Sequence, residues 1–427
     1  MPHIMDYIMV PIQLIIIFFS IYYFVIALCG LWRKKEEKIL TPQKSFAIVI
    51  AAHNEEQVIG ELIENLYVLR YPRELFDIFV VADNCTDKTA DICRSLKVNV
   101  YERFNLQERG KGYAMEWMFA KLFRMKRQYD GVVVFDADNL VHPDFLLEMN
   151  NRLCKGEKII QGYLDAKNPH DTWIAGTFAI SFWLVNRIWH LAKYNIGLSS
   201  ALGGTGMCIA MDVLRQFGWG ATCLTEDMEF TMKALELGIP TTWAHDAIVY
   251  DEKPLTFKQA WHQRKRWSQG HFDCASRYIP RLLLEGFRTR DIRILDGVIH
   301  LLQPHFLLMS TSFVFASYLY TIYPFYTNIL LILPMQVWQI IALGQYIFPV
   351  MVLMFIRAKW KSWWYLLFYP LFVYSWIPIT IVGFLHRNDR EWSHTRHTRN
   401  MNYRDVVLDI EGSSEFKQNL LGKQAIK

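Results

Sequence analysis

Two aspartates separated by a single residue close an apolar run in the segment VVVFDADN. They are Asp136 and Asp138. Proteins hold magnesium with one or two carboxylates, and substrate phosphates supply further ligands. An Asp-x-Asp pair at the end of a strand can therefore direct one carboxylate to a cation and the other to a sugar or ribose. An acidic cap between a strand and a loop would use the same residues, so the pattern alone leaves both interpretations open.

A second acidic pair stands in CLTEDMEF, where Glu226 and Asp227 follow Thr225. Thr225 is a suitable N-cap for a helix that the pattern predicts over 226–237. Acidic side chains in a first helical turn commonly only compensate the helix dipole. A carboxylate here can also act as a general base that takes the proton of an attacking hydroxyl. Either role accounts for this pair when it is considered by itself.

A lysine lies between two glycines in ERGKGYAM. The side chain of Lys111 suits a phosphate group, and Gly110 and Gly112 permit close approach of the backbone. The GxxxxGK[ST] spacing of a P-loop is absent. A further run of small residues, GGTGM at 203–207, would let a ligand approach closely or would form a plain turn.

Basic and aromatic residues are interleaved in WHQRKRWSQGHFD, within a helix that the pattern predicts over 257–284. Gln263, Arg266 and Trp267 are spaced i, i+3 and i+4, so they share one face of that helix. Arg264 and Lys265 then point elsewhere and suit anionic lipid headgroups. The segment has the character of a helix lying in the membrane interface. A helix that serves only as an anchor would show the same spacing.

These side chains need a scaffold, and the central part of the chain alternates strand and helix patterns. The predicted strands are 46–52, 76–83, 99–104 and 131–138, and the predicted helices between them are 55–70, 87–96 and 111–127. This alternation indicates an α/β domain with a mostly parallel sheet. Ligands bind at the carboxyl ends of such strands. Three of the four strands end in polar clusters, namely His53, Asn54 and Glu55, then Asp83, Asn84 and Asp87, then the aspartate pair.

The composition adds membrane segments to this domain. The chain of 427 residues is 52% hydrophobic and carries a net charge of only +5, which does not suggest nucleic acid as a partner. An uncharged run over 10–31 is long enough to span a bilayer, as are the runs 299–323, 329–356 and 363–385. WRKK after the first run places the α/β domain in the cytosol. Seven cysteines without a CxxC pair indicate reduced thiols.

The predicted organisation therefore has five parts. They are an N-terminal transmembrane helix in 1–35, a catalytic domain over 40–253, an interfacial region over 254–290, about three transmembrane helices over 295–386 and a polar tail over 387–427. The side of the membrane on which the tail lies stays open, because its basic residues favour the cytosol whereas the number of spans favours the outside.

Together the motifs resemble a known family. AIVIAAHNEE, VVADNCTD, RGKGYAM, FDADN, GGTGM, LTED and QRKRW occur in this order and are followed by membrane spans. The chain is thus similar to the membrane-integrated inverting glycosyltransferases of family 2, such as cellulose, chitin, hyaluronan and poly-N-acetylglucosamine synthases. The resemblance implies a GT-A-like (Rossmann-like) α/β fold, a nucleotide-sugar donor, Mg²⁺ or Mn²⁺, and a multi-pass protein of the plasma membrane.

The resemblance also assigns residues. The implied donor-binding residues are Ala51, His53, Asn54, Glu55, Asp83, Lys111 and Asp136. The implied metal ligands are Asp138 and Asp136, with Asp138 the principal one. The implied catalytic residues are the base Asp227, its neighbour Glu226, and the Gln-x-x-Arg-Trp residues Gln263, Arg266 and Trp267. The chain departs from the family pattern at Ala51, where many members have proline, and at Ala82, which precedes a single acidic residue.

The leading hypothesis is an inverting β-glycosyltransferase that uses UDP-N-acetylglucosamine or UDP-glucose to extend a polysaccharide and passes it through its own spans. The alternative is the transfer of one sugar to a membrane lipid. The expected partners are the donor, a glycan or lipid acceptor and membrane lipids, and a partner subunit stays open. Fewer spans than in cellulose synthases weigh against a wide secretion channel.

Overall fold

A computed structural model describes residues 4–220, 222–322, 331–344, 346–389, 399 and 401–406. Eight strands form one sheet: β1 (Phe46–Ala52), β2 (Phe76–Asp83), β3 (Asn99–Arg103), β4 (Gly131–Asp136), β5 (Leu140–Val141), β6 (Ile159–Ala166), β7 (Met207–Ala210) and β8 (Thr241–Asp251). Their order across the sheet is β3-β2-β1-β4-β7-β6-β8-β5. The first four strands are parallel, and β6 is parallel to β8. The predicted α/β fold with a mostly parallel sheet is confirmed.

Helices cover the sheet and extend beyond it. Helix α1 (Ile4–Cys29) precedes the sheet. The helices within the α/β part are α2 (Ile59–Tyr67), α3 (Thr89–Ser95), α4 (Lys111–Leu122), α5 (Phe145–Cys154), α6 (Trp173–Val185), α7 (Ala192–Asn195), α8 (Met211–Phe217) and α9 (Glu226–Glu236). A 3₁₀ turn at Arg73–Leu75 precedes β2, and a π-helix at Asn186–Leu191 joins α6 to α7.

The two faces of the sheet carry separate apolar cores, as the period of a strand requires. In β1, Phe46, Ile48 and Ile50 belong to the core beneath α2, whereas Ala47 and Val49 belong to the core beneath α4. These side chains are fully buried. Burial on both faces explains why the strands are continuous apolar runs in the sequence and not alternating ones.

The predicted boundaries hold at β1 and β2 and shift where polar groups turn the chain. Strand β4 ends at Asp136, two residues before the predicted end, because the Asp136 N–H donates to Asn139 Oδ1 at 3.0 Å and to Thr205 Oγ1 at 3.1 Å. Helix α2 begins at Ile59 and not at residue 55, because Asn54 has a positive φ of 56° and the residues after it form a turn. Both departures occur at candidate site residues.

The C-terminal third is helical. It comprises α10 (Phe257–Thr289), α11 (Ile292–Leu301), α12 (Gln303–Ile322), α13 (Met335–Gly344), α14 (Ile347–Phe355), α15 (Trp360–Tyr365), α16 (Tyr369–Tyr374) and α17 (Trp376–Leu385). A capping box between Thr256 and Gln259 fixes the start of α10. Helix α10 crosses both α11 and α17, and it joins the sheet domain to the apolar helices.

Among the residues that the structure describes, one helix is long and apolar enough to cross a membrane by itself. It is Tyr7–Cys29, and the pair Ile292–Leu301 and Gln303–Leu319, bent by 53°, would make a second span if it acts as one. The run 329–356 begins outside the described residues, and its described part divides into α13 and α14. The run 363–385 divides into three short helices. The number of C-terminal spans therefore stays a prediction, and most of the polar tail lies outside the described residues.

Candidate active site

A cavity of about 820 Å³ opens at the carboxyl ends of β1, β2 and β4 and continues between α10, α11 and α17. It is lined by every sequence-predicted site residue except Asn54, namely by Ala51, His53, Glu55, Asp83, Lys111, Asp136, Asp138, Glu226, Asp227, Gln263, Arg266 and Trp267. The sheet edge therefore gathers residues that lie as much as 216 positions apart (267 − 51) in the sequence. Pockets for nucleotides and cofactors commonly have this size and position.

The first two strands build one end of this cavity. His53 Nδ1 lies 2.7 Å from the carbonyl oxygen of Asp83, which links the ends of β1 and β2. Asn54 is the predicted residue that does not line the cavity. Its side-chain oxygen accepts the Thr86 N–H at 2.8 Å. Asn54 thus joins the two loops below the cavity, whereas His53, Glu55 and Asp83 face the open space.

Asp83 has a buried partner that the sequence analysis missed. Arg103 at the end of β3 donates from Nη1 to Asp83 Oδ1 at 2.7 Å and to the Glu108 carbonyl oxygen at 2.9 Å. Both charged side chains are almost fully buried. A buried pair of this kind fixes the carboxylate in one orientation because breaking it would leave an uncompensated charge. The sequence feature that could have identified Arg103 is its position at the end of a predicted strand.

Lys111 connects the glycine-flanked segment to the aspartate pair. Gly110 has a positive φ of 111°, which a residue with a side chain rarely adopts, and α4 begins directly after it. The Lys111 ammonium forms a short ion pair with Asp136 and donates to the Gly204 carbonyl oxygen at 2.7 Å. Burial lowers the pKa of Lys111, but the carboxylates of Asp136 and Glu226 outweigh it and raise the pKa. The lysine is therefore charged and can bind a phosphate.

Asp138 is held more deeply than Asp136. Its side chain is buried, and its Oδ2 accepts the backbone N–H of Glu252 at 3.0 Å. Asp251 at the end of β8 also lines the cavity, although no sequence signal had suggested it. Burial and the nearby Asp138 carboxylate together raise the pKa of Asp251 to about 6, against the opposing effect of Lys253. A bound cation would relieve the electrostatic repulsion between these neighbouring carboxylates.

These carboxylates suit a divalent cation that is shared with a diphosphate. Within the described ranges, no group of three or more His, Cys, Asp or Glu side chains is arranged to hold a metal ion unaided. Magnesium and manganese sites of nucleotide enzymes need only one or two protein carboxylates, since the phosphates complete the coordination. Asp136 and Asp138 at the lining of the cavity meet that requirement.

Asp227 lies in the first turn of α9 and lines the same cavity. Its Oδ1 accepts the Met228 N–H at 2.8 Å. Burial and the neighbouring Glu226 carboxylate raise the pKa of Asp227 to about 7, against the opposing effects of the Met228 N–H and Lys111. Thr225, the expected N-cap, makes no capping hydrogen bond through its side chain. A carboxylate with this pKa can accept a proton near neutral pH.

The loop before α9 is positioned by groups that the sequence analysis did not identify. The Glu229 carboxylate accepts the N–H groups of Thr222 and Cys223 at 3.1 Å and 3.0 Å. Helix α10 lies against the same loop at Gly270, where an added Cβ would be 2.5 Å from the Thr225 side chain. The absence of a side chain at Gly270 therefore sets how closely α10 approaches the segment that carries Asp227.

Helix α10 presents the predicted face to the cavity. Gln263, Arg266 and Trp267 all line it. The Trp267 ring lies 6.5 Å from the Trp376 ring with an interplanar angle of 23° and 6.2 Å from the Phe178 ring with an angle of 72°. The side-chain oxygen of Gln263 is buried and has no hydrogen-bond partner among the residues described. A polar aromatic surface of this kind can bind a sugar.

Arg264 does not reach lipid headgroups, so that expectation is wrong. Its side chain is fully buried, and Nη1 donates to Ser375 Oγ at 2.8 Å and to the Phe372 carbonyl oxygen at 3.3 Å. The guanidinium carbon lies 4.3 Å from the centre of the Phe372 ring. Arg264 thus attaches α10 to α16 and α17. The reason is that α16 and α17 cover the face of α10 that the sequence pattern left facing the membrane.

Fold, cavity and acidic residues define a nucleotide-sugar transferase with a GT-A-like fold, and comparison with known proteins agrees. Residues 42–270 match the family described as "Glycosyltransferase like family 2". The chain therefore belongs to glycosyltransferase family 2. It is 25% identical over 366 residues to "Probable glycosyltransferase YdaM" of Bacillus subtilis, across 82% of this chain and 83% of that protein.

Other relatives bear more specific names. The chain is 28% identical to the beta-monoglucosyldiacylglycerol synthase of Nostoc over 57% of its own length and 52% of the relative's. It is 24% identical to the poly-beta-1,6-N-acetyl-D-glucosamine synthase of Staphylococcus aureus over 56% of its own length and 57% of the relative's. The matched region thus covers about half the length of these two synthases.

Among solved structures, the mannosyltransferase PcManGT from Pyrobaculum calidifontis, in complex with GDP-Man and Mn²⁺, has the same fold. The TM-score is 0.55 at 17% identity, and the superposition covers 88% of this chain and 99% of that one. The agreement extends past the sheet domain into the C-terminal helices.

Proposed function

We propose that this glycosyltransferase moves a hexose from a UDP-sugar to an acceptor hydroxyl with inversion at the anomeric carbon, and that it extends a polysaccharide. The observation that carries the proposal is one cavity that is lined both by Asp227 and by the phosphate-binding group Lys111, Asp136 and Asp138. Nucleophile activation and leaving-group stabilisation require groups on opposite sides of the reacting carbon. One cavity that holds both a carboxylate base and a phosphate-binding group can supply both functions.

The chemistry is a single displacement. As the acceptor oxygen forms a bond to the anomeric carbon, its proton passes to the Asp227 carboxylate, and the bond from that carbon to the diphosphate breaks. The electron pair leaves with UDP, where Lys111 and Arg266 stabilise the added negative charge. The planar guanidinium of Arg266 can donate two parallel hydrogen bonds to phosphate oxygens in a fixed geometry that a single ammonium group does not provide. An α-linked donor thus yields a β-linked product.

A divalent cation would be held by Asp138 and Asp136 together with the diphosphate. When bound, it supplies positive charge that stabilises the departing diphosphate. We expect EDTA to abolish UDP release and added Mg²⁺ or Mn²⁺ to restore it. Activity that persists in excess chelator would contradict this role, and the same assay at matched ionic strength controls for salt effects.

Support for a polysaccharide product comes from the positions of Gln263, Arg266 and Trp267 on one cavity wall. This Gln-x-x-Arg-Trp pattern is the one that resembles the processive synthases, and one relative is named as a poly-N-acetylglucosamine synthase. We therefore propose UDP-N-acetylglucosamine or UDP-glucose as donor.

A lipid acceptor is the second candidate, and it is favoured by exposed apolar surface on α10 and on the C-terminal segment. The side chains concerned are more than half exposed, namely Trp360 and Trp364 on α15, Leu367 between α15 and α16, Leu371 on α16, and Leu284 on α10. Exposed apolar surface of this extent suits contact with lipid. Relatives named as beta-monoglucosyldiacylglycerol synthases support the same reading. Both candidates place the protein in the membrane with a cytosolic active site, which we propose as its location.

One experiment tests the proposal and separates the acceptors. The purified full-length protein in detergent is incubated with a panel of radiolabelled UDP-sugars, Mg²⁺ or Mn²⁺, and diacylglycerol micelles or oligosaccharides. We expect UDP release with one donor and a β-linked product that lengthens with time. A discrete chloroform-soluble product instead supports single transfer to lipid. If no UDP-sugar is turned over while a GDP-sugar is, the donor assignment is wrong.

A further inference from the structure

The cavity continues past the transfer site to a pair of histidines. On α10, residues 263, 267 and 271 recur every four positions, so His271 lies on the same face as Gln263 and Trp267. The helix rises ~12 Å from residue 263 to residue 271, which is longer than one sugar ring. His300 on α11 lines the cavity opposite His271. The two rings are stacked, with centres 5.8 Å apart and an interplanar angle of 22°.

Three buried ring nitrogens of this pair have no hydrogen-bond partner among the described residues, and the backbone of Leu301 and His300 lies within reach of the His271 ring. His271 Nε2 and both ring nitrogens of His300 make no hydrogen bond within the part of the chain that the structure describes. The same is true of the side-chain oxygen of Gln263 at the start of this wall. Buried polar atoms are almost always hydrogen-bonded in folded proteins. Several such atoms on the wall of one cavity therefore indicate a polar ligand.

The surroundings define the chemistry of that ligand. Burial lowers the pKa of His271 to about 4, against the opposing effect of hydrogen bonds to the backbone of Leu301 and His300, so its imidazole is neutral at physiological pH. A neutral imidazole has one donor and one acceptor nitrogen. Lys193, which lies near this end of the cavity, is already paired with the buried Asp296 at 2.6 Å. A hydroxyl group both donates and accepts, so it matches a neutral imidazole. An acyl chain would leave the nitrogens unpaired, and an anionic headgroup would lack an available cation in Lys193.

Aromatic rings occupy the same wall. Trp376 stacks with Trp267 near the transfer site, and the Trp189 ring lies 5.7 Å from His300 with an interplanar angle of 32°. Aromatic faces next to hydrogen-bonding groups suit a pyranose ring, which has apolar faces and a rim of hydroxyls.

We propose that His271 and His300 form a distal acceptor subsite that binds hydroxyl groups of sugar units already joined to the acceptor. The inference rests on the proposed function and deepens it, because it identifies the acceptor as an oligosaccharide longer than one sugar. Neither residue takes part in the displacement. Both act by holding the acceptor chain, so their contribution grows with acceptor length.

The test uses full-length protein in detergent with the turned-over UDP-sugar. The probes are the monosaccharide, disaccharide and tetrasaccharide of β-linked glucose and of β-linked N-acetylglucosamine. The variants are His271→Phe and His300→Phe, which keep a planar ring and remove the nitrogens. His305→Phe is the matched control, because His305 lies on α12 outside this cavity.

For the wild type, we expect the acceptor KM to fall about tenfold from monosaccharide to tetrasaccharide, which corresponds to one or two hydrogen bonds. His271→Phe and His300→Phe should abolish that gain while kcat with the monosaccharide and UDP release without acceptor stay unchanged. Thermal unfolding of His300→Phe should not be lowered, since neither ring nitrogen of His300 has a hydrogen bond to lose. The control should keep the full length dependence.

Three results would overturn the inference. The first is a wild-type KM that is independent of acceptor length while UDP release is normal. The second is an equal loss of kcat on all acceptors in both variants. The third is preferential use of diacylglycerol that the variants leave unchanged. An absence of UDP release from every UDP-sugar would instead refute the proposed function itself, so the two failures are distinguishable.

Discussion

The protonation of Asp227 gives the sharpest prediction for catalysis. Its pKa is raised to about 7 by burial and by the adjacent Glu226 carboxylate, and only the ionised form can accept the acceptor proton. With a pKa of about 7, roughly a tenth of the enzyme is competent at pH 6 and roughly nine tenths at pH 8. We therefore expect kcat/KM for the donor to rise about tenfold over this interval and then to reach a plateau.

Two variants separate the base from its neighbour. Glu226→Gln removes the like charge, so the pKa of Asp227 should fall and the acid limb of the pH profile should move to lower pH. Asp227→Asn removes the base and should reduce transfer to below ~1% of wild type, because general base catalysis contributes about 10²- to 10⁴-fold. Donor affinity, measured by calorimetry with UDP, should change little in either variant.

The same pKa gives a stability control. The folded state binds the Asp227 proton more tightly than the unfolded chain does, so ionising this group costs folding free energy as pH rises from about 4 to 7. Asp227→Asn should therefore unfold at the same or a higher temperature than wild type at pH 8. An acid limb that does not move in Glu226→Gln, or Asp227→Asn activity above about a tenth of wild type, would refute the assignment of the base.

Other predictions concern the groups that position the site. Arg264→Ala should lower the unfolding free energy by about 2–4 kcal/mol without releasing the protein from membranes, because it removes a buried contact. Thermal unfolding measures the stability, and flotation measures membrane association. Release from membranes at unchanged stability would contradict the buried placement. Gly270→Ala should reduce kcat about 100-fold by displacing Thr225 and the loop before the base, and retained kcat would show that the loop yields easily. Arg103→Met should raise the donor KM about tenfold with kcat kept, since Asp83 loses its buried partner; steady-state kinetics that show an unchanged KM would exclude this role.

The sequence by itself determined the local elements. Buried strands such as β1 and β2 are visible as apolar runs that end in polar residues, because both faces of the sheet are covered. Helical periodicity placed Gln263 and Trp267 on one face, and that face does line the cavity. The second half of the sheet was not predicted, because β6, β7 and β8 are separated by helices and loops whose pairing depends on distant contacts.

Tertiary structure alone decided which groups meet. Periodicity can show that Arg264 lies on a different face of α10 from Trp267, but only the packing of Ser375, 111 positions away, shows that this face is buried. Arg103 and Asp251 became part of the site through strand order across the sheet. Long-range packing also stacks His271 against His300 at the wall of one cavity, since a helix pattern specifies a direction but not the neighbour that it meets.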